Sequence, residues 1–120
     1  MKAAVSSCGP DLGSQVDPRF GRCSHFVIVD TETGEYQVVN NDLNLNASQG
    51  AGIQAAENVS RRSVGAVITG HCGPKAFRVL KAAGIKVYLA GEGTVVRVIE
   101  ELKQGLLEEA QDADVDGHWS

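Results

Sequence analysis

His71 and Cys72 stand side by side in Thr69-Gly70-His71-Cys72-Gly73-Pro74-Lys75, where an apolar run ends and a helical pattern begins. An imidazole beside a thiol suits three arrangements: a nucleophile with its base, a pair of soft-metal ligands, or a plain strand-to-helix turn. A helix N-terminus lowers a thiol pKa, but nucleophile and base usually meet through space rather than along the chain. A ligand or lining role is therefore preferred over catalysis. The other two thiols, Cys8 and Cys23, each fit a small buried apolar residue as well as a metal ligand, and Cys23 lies two residues before His25. Arg19 and Arg22, in Asp17-Pro18-Arg19-Phe20-Gly21-Arg22, could clamp an anion, although an ion pair with Asp17 or Asp11 would account for one of them. Lys75 adds a charge at the start of a helix whose free N–H groups favour anions. Asn46, Ser48, Gln49 and Gly50 add polar and backbone groups, and Gly70 and Gly73 permit close backbone approach. Sulfur, imidazole, guanidinium and amides with few carboxylates suit an anionic, thiophilic metal species better than a hard cation.

Several chemistries are disfavoured. Asp11, Asp17 and Asp30 lie on separate segments, so neither a two-metal nuclease site nor a carboxylate acid–base pair is supported. No phosphate-binding glycine loop occurs, because Gly50-Ala51-Gly52 follows a polar stretch rather than a buried strand. The net charge is −4, of which −5 lies beyond residue 105, so residues 1–105 carry +1. A near-neutral body without a basic stripe excludes nucleic acid as the main ligand. No apolar run approaches a membrane span or a signal peptide, and three cysteines do not make a disulfide framework. These features predict a cytoplasmic protein with no membrane association.

The elements that must position these residues follow from pattern. With 120 residues and 42% hydrophobic content, one core is expected. Residues 2–7 read as a strand, and the Gly/Pro/Asp-rich loop after it is long enough to be functional. Residues 25–30 and 35–40 read as a hairpin around Gly34. Ile53, Ala56 and Val59 mark a helix from 51 to 62, and residues 64–70 a buried strand. A helix from Pro74 has Phe77 and Leu80 inward and stops at Gly84. Ile85, Val87 and Leu89 alternate with Lys86 and Tyr88 as in a half-exposed strand, and Thr94 caps a last helix with Val95 or Val96, Ile99 and Leu102 inward. The order βββαβαβα predicts a single α/β domain over residues 1–107. Its five-stranded mixed sheet has strand order 3-2-1-4-5 with strand two antiparallel, and residues 108–120 form an acidic flexible tail. That topology gathers Cys8, Cys23, Asn41 and Gly70 on one sheet edge. A crevice is expected between strands one and four, flanked by Cys8 and His71-Cys72.

Three ordered motifs, Asp17-Pro18-Arg19-Phe20-Gly21-Arg22-Cys23-Ser24-His25 running on to Asp30, Asn46-Ala47-Ser48-Gln49-Gly50 running on to Glu57, and residues 69–88, resemble the dinitrogenase iron-molybdenum cofactor biosynthesis family, the nitrogenase accessory factor-like domains. The resemblance spans roughly residues 2–107. It implies a ribonuclease H-like α/β fold without nuclease activity, and binding or carriage of iron-molybdenum cofactor or its precursors. Among stand-alone members the chain is similar to those holding a molybdenum-copper sulfide cluster non-covalently. That implies a site at the arginine loop, the 46–50 segment and the 70–75 turn. The expected function is thus non-enzymatic binding of an anionic molybdenum-containing sulfide cluster, with Cys72, and also Cys8 and Cys23, as candidate thiolate ligands. The alternatives are a regulatory module that binds partner proteins without metal, and a thiol enzyme using Cys72.

Overall fold

A computed structural model describes residues 1–41 and 50–111. The first strand, β1 (Lys2–Ser7), pairs antiparallel with β2 (His25–Asp30), which pairs antiparallel with β3 (Tyr36–Asn40). Helix α1 (Ala51–Ser60) leads into β4 (Ala66–Thr69), which lies parallel to β1 with Val5 opposite Ile68. Helix α2 (Pro74–Ala82) connects β4 to parallel β5 (Lys86–Leu89). Helix α3 (Val95–Lys103) follows, and a two-residue β6 (Glu108–Glu109) pairs antiparallel with β5.

The sheet order is β3-β2-β1-β4-β5-β6. The predicted order 3-2-1-4-5, with its antiparallel second strand, is observed. The strand count of five is corrected to six: Glu108 and Glu109 lie opposite Leu89 and Tyr88, and the Ala110 amide donates to Val87 O at 2.8 Å. The ladder is made by backbone groups, so two glutamates serve as well as apolar residues and leave no alternation to read. Residues 108–110 therefore belong to the sheet, where the sequence predicted the start of a tail. Among the described residues no helix is long and apolar enough to cross a membrane.

Alternation along the strands divides the core between two faces. Ala4, Phe26, Ile28, Val67 and Val87 face α1 and α2, where Ala55, Ala56, Val59, Phe77 and Leu80 meet them. Ala3, Val5, Val27, Val29 and Ile68 face α3, against Val95, Val98 and Ile99. Tyr88, predicted on an open face, packs against the α3 cluster, because that helix covers the second face. Within α3 the inner positions are Val95 and Val98, with Val96 exposed; within α1, Ala55 is fully buried and Ile53 half-buried. Among the described residues the three helices start at the edge where the parallel strands end, and none carries an acidic residue in its first turn.

Candidate functional site

The long loop after β1 builds the floor of this edge. Its first part is fastened to α3: Val95 N donates to Ser14 O and Val96 N to Leu12 O, each at 2.9 Å, while Val16 N donates to Gly93 O at 2.9 Å. The next part crosses the ends of β1 and β4. Asp17 N donates to Ser6 O (2.9 Å), His71 N to Pro18 O (2.7 Å) and Phe20 N to His71 O (3.3 Å). Arg19 is thereby bridged in parallel to His71. Phe20, fully buried with its ring 5.2 Å from that of Phe26, pins the segment to the core. The loop predicted to carry the arginines is thus a fixed part of the domain.

Two glycines make the crossing possible. A Cβ on Gly70 would stand 2.8 Å from Pro18 Cα, and one on Gly21 would stand 2.8 Å from Gly52 Cα and N. Backbone cannot yield at such distances. The arginine loop is therefore wedged between the turn after β4 and the first turn of α1.

A cleft of about 580 Å³ opens beside this crossing, lined by Gln15, Val16, Pro18, Gly70, His71, Ala90, Gly91 and Glu92. Its volume lies in the range of small-ligand sites. It sits at the carboxyl ends of β4 and β5, which corrects the crevice predicted between β1 and β4. Residues 15–20, laid across those two strand ends, fill the predicted gap. Neither Cys8 nor Cys72 lines the cleft, whereas Gly70 and His71 do. Gln15 and the Ala90-Gly91-Glu92 turn were missed; the Gly-rich run Gly91-Glu92-Gly93 after an apolar strand was the signal that could have found them. Two further clefts lie away from this edge, one at Lys2, Asp30 and Tyr36, the other between α3 and the hairpin.

Of the predicted site residues, Arg19 has a half-exposed side chain whose Nε and Nη2 each lie 3.3 Å from an Asp17 carboxylate oxygen. The hydrogen bond to Asp17, then the charge of Asp17, raise the guanidinium pKa further. Arg22 is half-buried, Lys75 exposed, Gly50 half-buried as the N-cap of α1, and Gly73 buried as the N-cap of α2. Asn46, Ser48 and Gln49 lie outside the described residues.

The three thiols are free and differ sharply in setting. Cys23 is fully buried beside Phe20 and Phe26, and its Sγ lies 3.4 Å from Phe20 O. Burial pushes its pKa up to about 12. Cys72 is 1% exposed and belongs to the same apolar cluster. Cys8 is exposed; its pKa is raised first by partial burial, then by the Asp17 carboxylate, with Arg19 opposing. No group of three or more His, Cys, Asp or Glu side chains able to hold a metal ion occurs among the described residues.

Residues 1–105 match the family described as dinitrogenase iron-molybdenum cofactor. The chain belongs to this family. It is 34% identical over 111 residues to an uncharacterized protein of Methanocaldococcus jannaschii, covering 90% of each chain. Its fold matches the apo form of the orange protein from Desulfovibrio gigas with a TM-score of 0.92 and 41% identity, over 95% of this chain and 96% of the other. A Thermotoga protein of the DUF35 family, solved by NMR, matches with a TM-score of 0.84 and 37% identity over 97% and 98%. The fold that the motifs implied is the fold observed, and the family resemblance holds over the same part of the chain.

Proposed function

We propose that this family member is a non-enzymatic binding or carrier protein for an anionic molybdenum-containing metal-sulfide cluster, of the molybdenum-copper or the iron-molybdenum type. The observation that carries the reading is the bridging of Arg19 to His71 beside the cleft, which joins two of the three family motifs at one edge.

The donor set fits such a cargo if it is held by its outer sulfides and its charge. Asp17 engages two of the five N–H donors of a guanidinium, so three on Arg19 remain for a ligand. Lys75 and Arg22 add positive charge, the N-termini of α1 and α2, with Gly50, Gly70 and Gly73, add backbone donors, and His71, whose amide is taken by Pro18 O, adds its imidazole at the cleft. Asn46, Ser48 and Gln49 are proposed to join them. Ligation through all three cysteines fits poorly, since Cys23 and Cys72 are in the core; Cys8, which is exposed and within the electrostatic reach of Arg19, is the thiol proposed to meet a cluster. Catalysis by Cys72 fits no better, because a sealed thiol meets no substrate.

The test is a visible-absorption titration of the metal-free protein with tetrathiomolybdate and copper(I) under reducing conditions. Uptake is expected at fixed stoichiometry, with the cluster band lost in Arg19→Ala and kept in Cys72→Ala. No stoichiometric uptake by the unaltered protein would overturn the reading.

A further inference from the structure

Asp17 is an unexpected neighbour for a guanidinium meant to hold an anion. Its side chain is 8% exposed, and its main chain is fixed from behind. The amide donates to Ser6 O at 2.9 Å, the carbonyl accepts from Ser6 Oγ at 2.7 Å, and Ser6 Oγ lies 2.8 Å from Thr69 Oγ1. Ser6 and Thr69 are both fully buried. The carboxylate accepts from the Arg19 amide at 2.9 Å, then meets Nε and Nη2 at 3.3 Å each. Those side-chain contacts are longer than the 2.7–2.9 Å of a tight charge-assisted bond. The pair is complete in charge but loose in geometry, and the arginine is 47% exposed on its other side.

We propose that Asp17 is a built-in competitor for the Arg19 guanidinium, which an anionic cargo displaces on binding and which recaptures the guanidinium on release. This rests on the proposed cluster-binding function and adds what limits the grip. Because Ser6 and the Asp17–Arg19 amide contact hold the backbone, the exchange needs only a rotation of the arginine side chain. Affinity is then set by the difference between two attractions for one guanidinium. A carrier needs such a limit if it is to give its cargo up.

The experiment compares dissociation constants for tetrathiomolybdate, at one ionic strength, among the unaltered protein, Asp17→Asn, Arg19→Gln and the double variant, with thermal melts to establish folding. Asparagine keeps an Oδ1 acceptor for the Arg19 amide and removes the charge. Asp17→Asn is expected to bind about ten-fold tighter, a change of about 1.4 kcal/mol, and the double variant to bind like Arg19→Gln. Unchanged or weaker binding by Asp17→Asn, with the unaltered protein still binding, would overturn the competitor role alone. Equal tightening in the absence of Arg19 would do the same. Failure of the unaltered protein to bind would overturn the cluster-binding function and this inference with it. If Asp17→Asn does not fold, the Arg19 Nε–H resonance of the unaltered protein decides: it should shift on adding tetrathiomolybdate while the Asp17 amide stays put, and an unmoved resonance overturns the proposal.

Discussion

The residues that look most reactive in the sequence are, in part, the least available in the fold. His71-Cys72 divides at the peptide bond between them: the imidazole residue lines the cleft and the thiol packs into the core. The spacing showed where the pair stands in the chain; which of the two faces out depends on the arginine loop laid over them, and that contact is long-range. Alkylation checks the difference. With iodoacetamide near pH 8, Cys8 should react in the folded protein, more slowly than a free thiol because its pKa is raised, while Cys23 and Cys72 react only after unfolding. Cys23 adds a pH signature. Its folded pKa of about 12 lies above that of an ordinary thiol, so the folded state keeps a proton that the unfolded chain loses. Stability should therefore fall as pH rises from about 9 towards 12, by up to about 1.4 kcal/mol per unit from this group, and the slope should lessen in Cys23→Ala. Gly70 makes the sharper structural test. A methyl group there meets Pro18 backbone, so Gly70→Ala should lose about 1–3 kcal/mol in thermal or urea unfolding and should free the Arg19 segment from His71.

At the scale of elements, most of the sheet was legible. Apolar runs at β1, β2, β4 and β5, and the alternation of helical and strand periods between them, were enough to place parallel neighbours. Thr94 caps α3 as its type suggests, accepting from Arg97 N at 3.4 Å. What escaped was held by backbone alone. The β6 glutamates have no pattern of their own, and the bridges Ser7 to Val16 and Gln15 to Thr94 join the long loop to the end of β1 and to the cap of α3 through single backbone pairs. Those bridges moved the cleft from the ends of β1 and β4 to the ends of β4 and β5. Truncation tests β6 directly. Compared with a chain ending after Gln111, one ending after Leu107 should lose about 1–2 kcal/mol for its ladder bonds and show faster hydrogen exchange in β5.

For the whole molecule, charge and topology point to the same edge. Residues 1–105 carry only +1, so attraction for an anion comes from where charges and amides stand rather than from their sum. Three helix N-termini without acidic residues, Arg19 at the crossing and Lys75 at the start of α2 are all gathered there by the strand order. Raising ionic strength should therefore weaken thiomolybdate binding moderately, because the contacts lie close to the surface and are screened. The most direct measurement is backbone amide chemical-shift mapping of the metal-free protein during titration with tetrathiomolybdate and copper(I). The account predicts saturable shifts concentrated at residues 19–22 and 70–76, with little change at Lys2, Asp30 and Tyr36 at the far end of the sheet. Saturable shifts centred on that far end, or none anywhere, would contradict it.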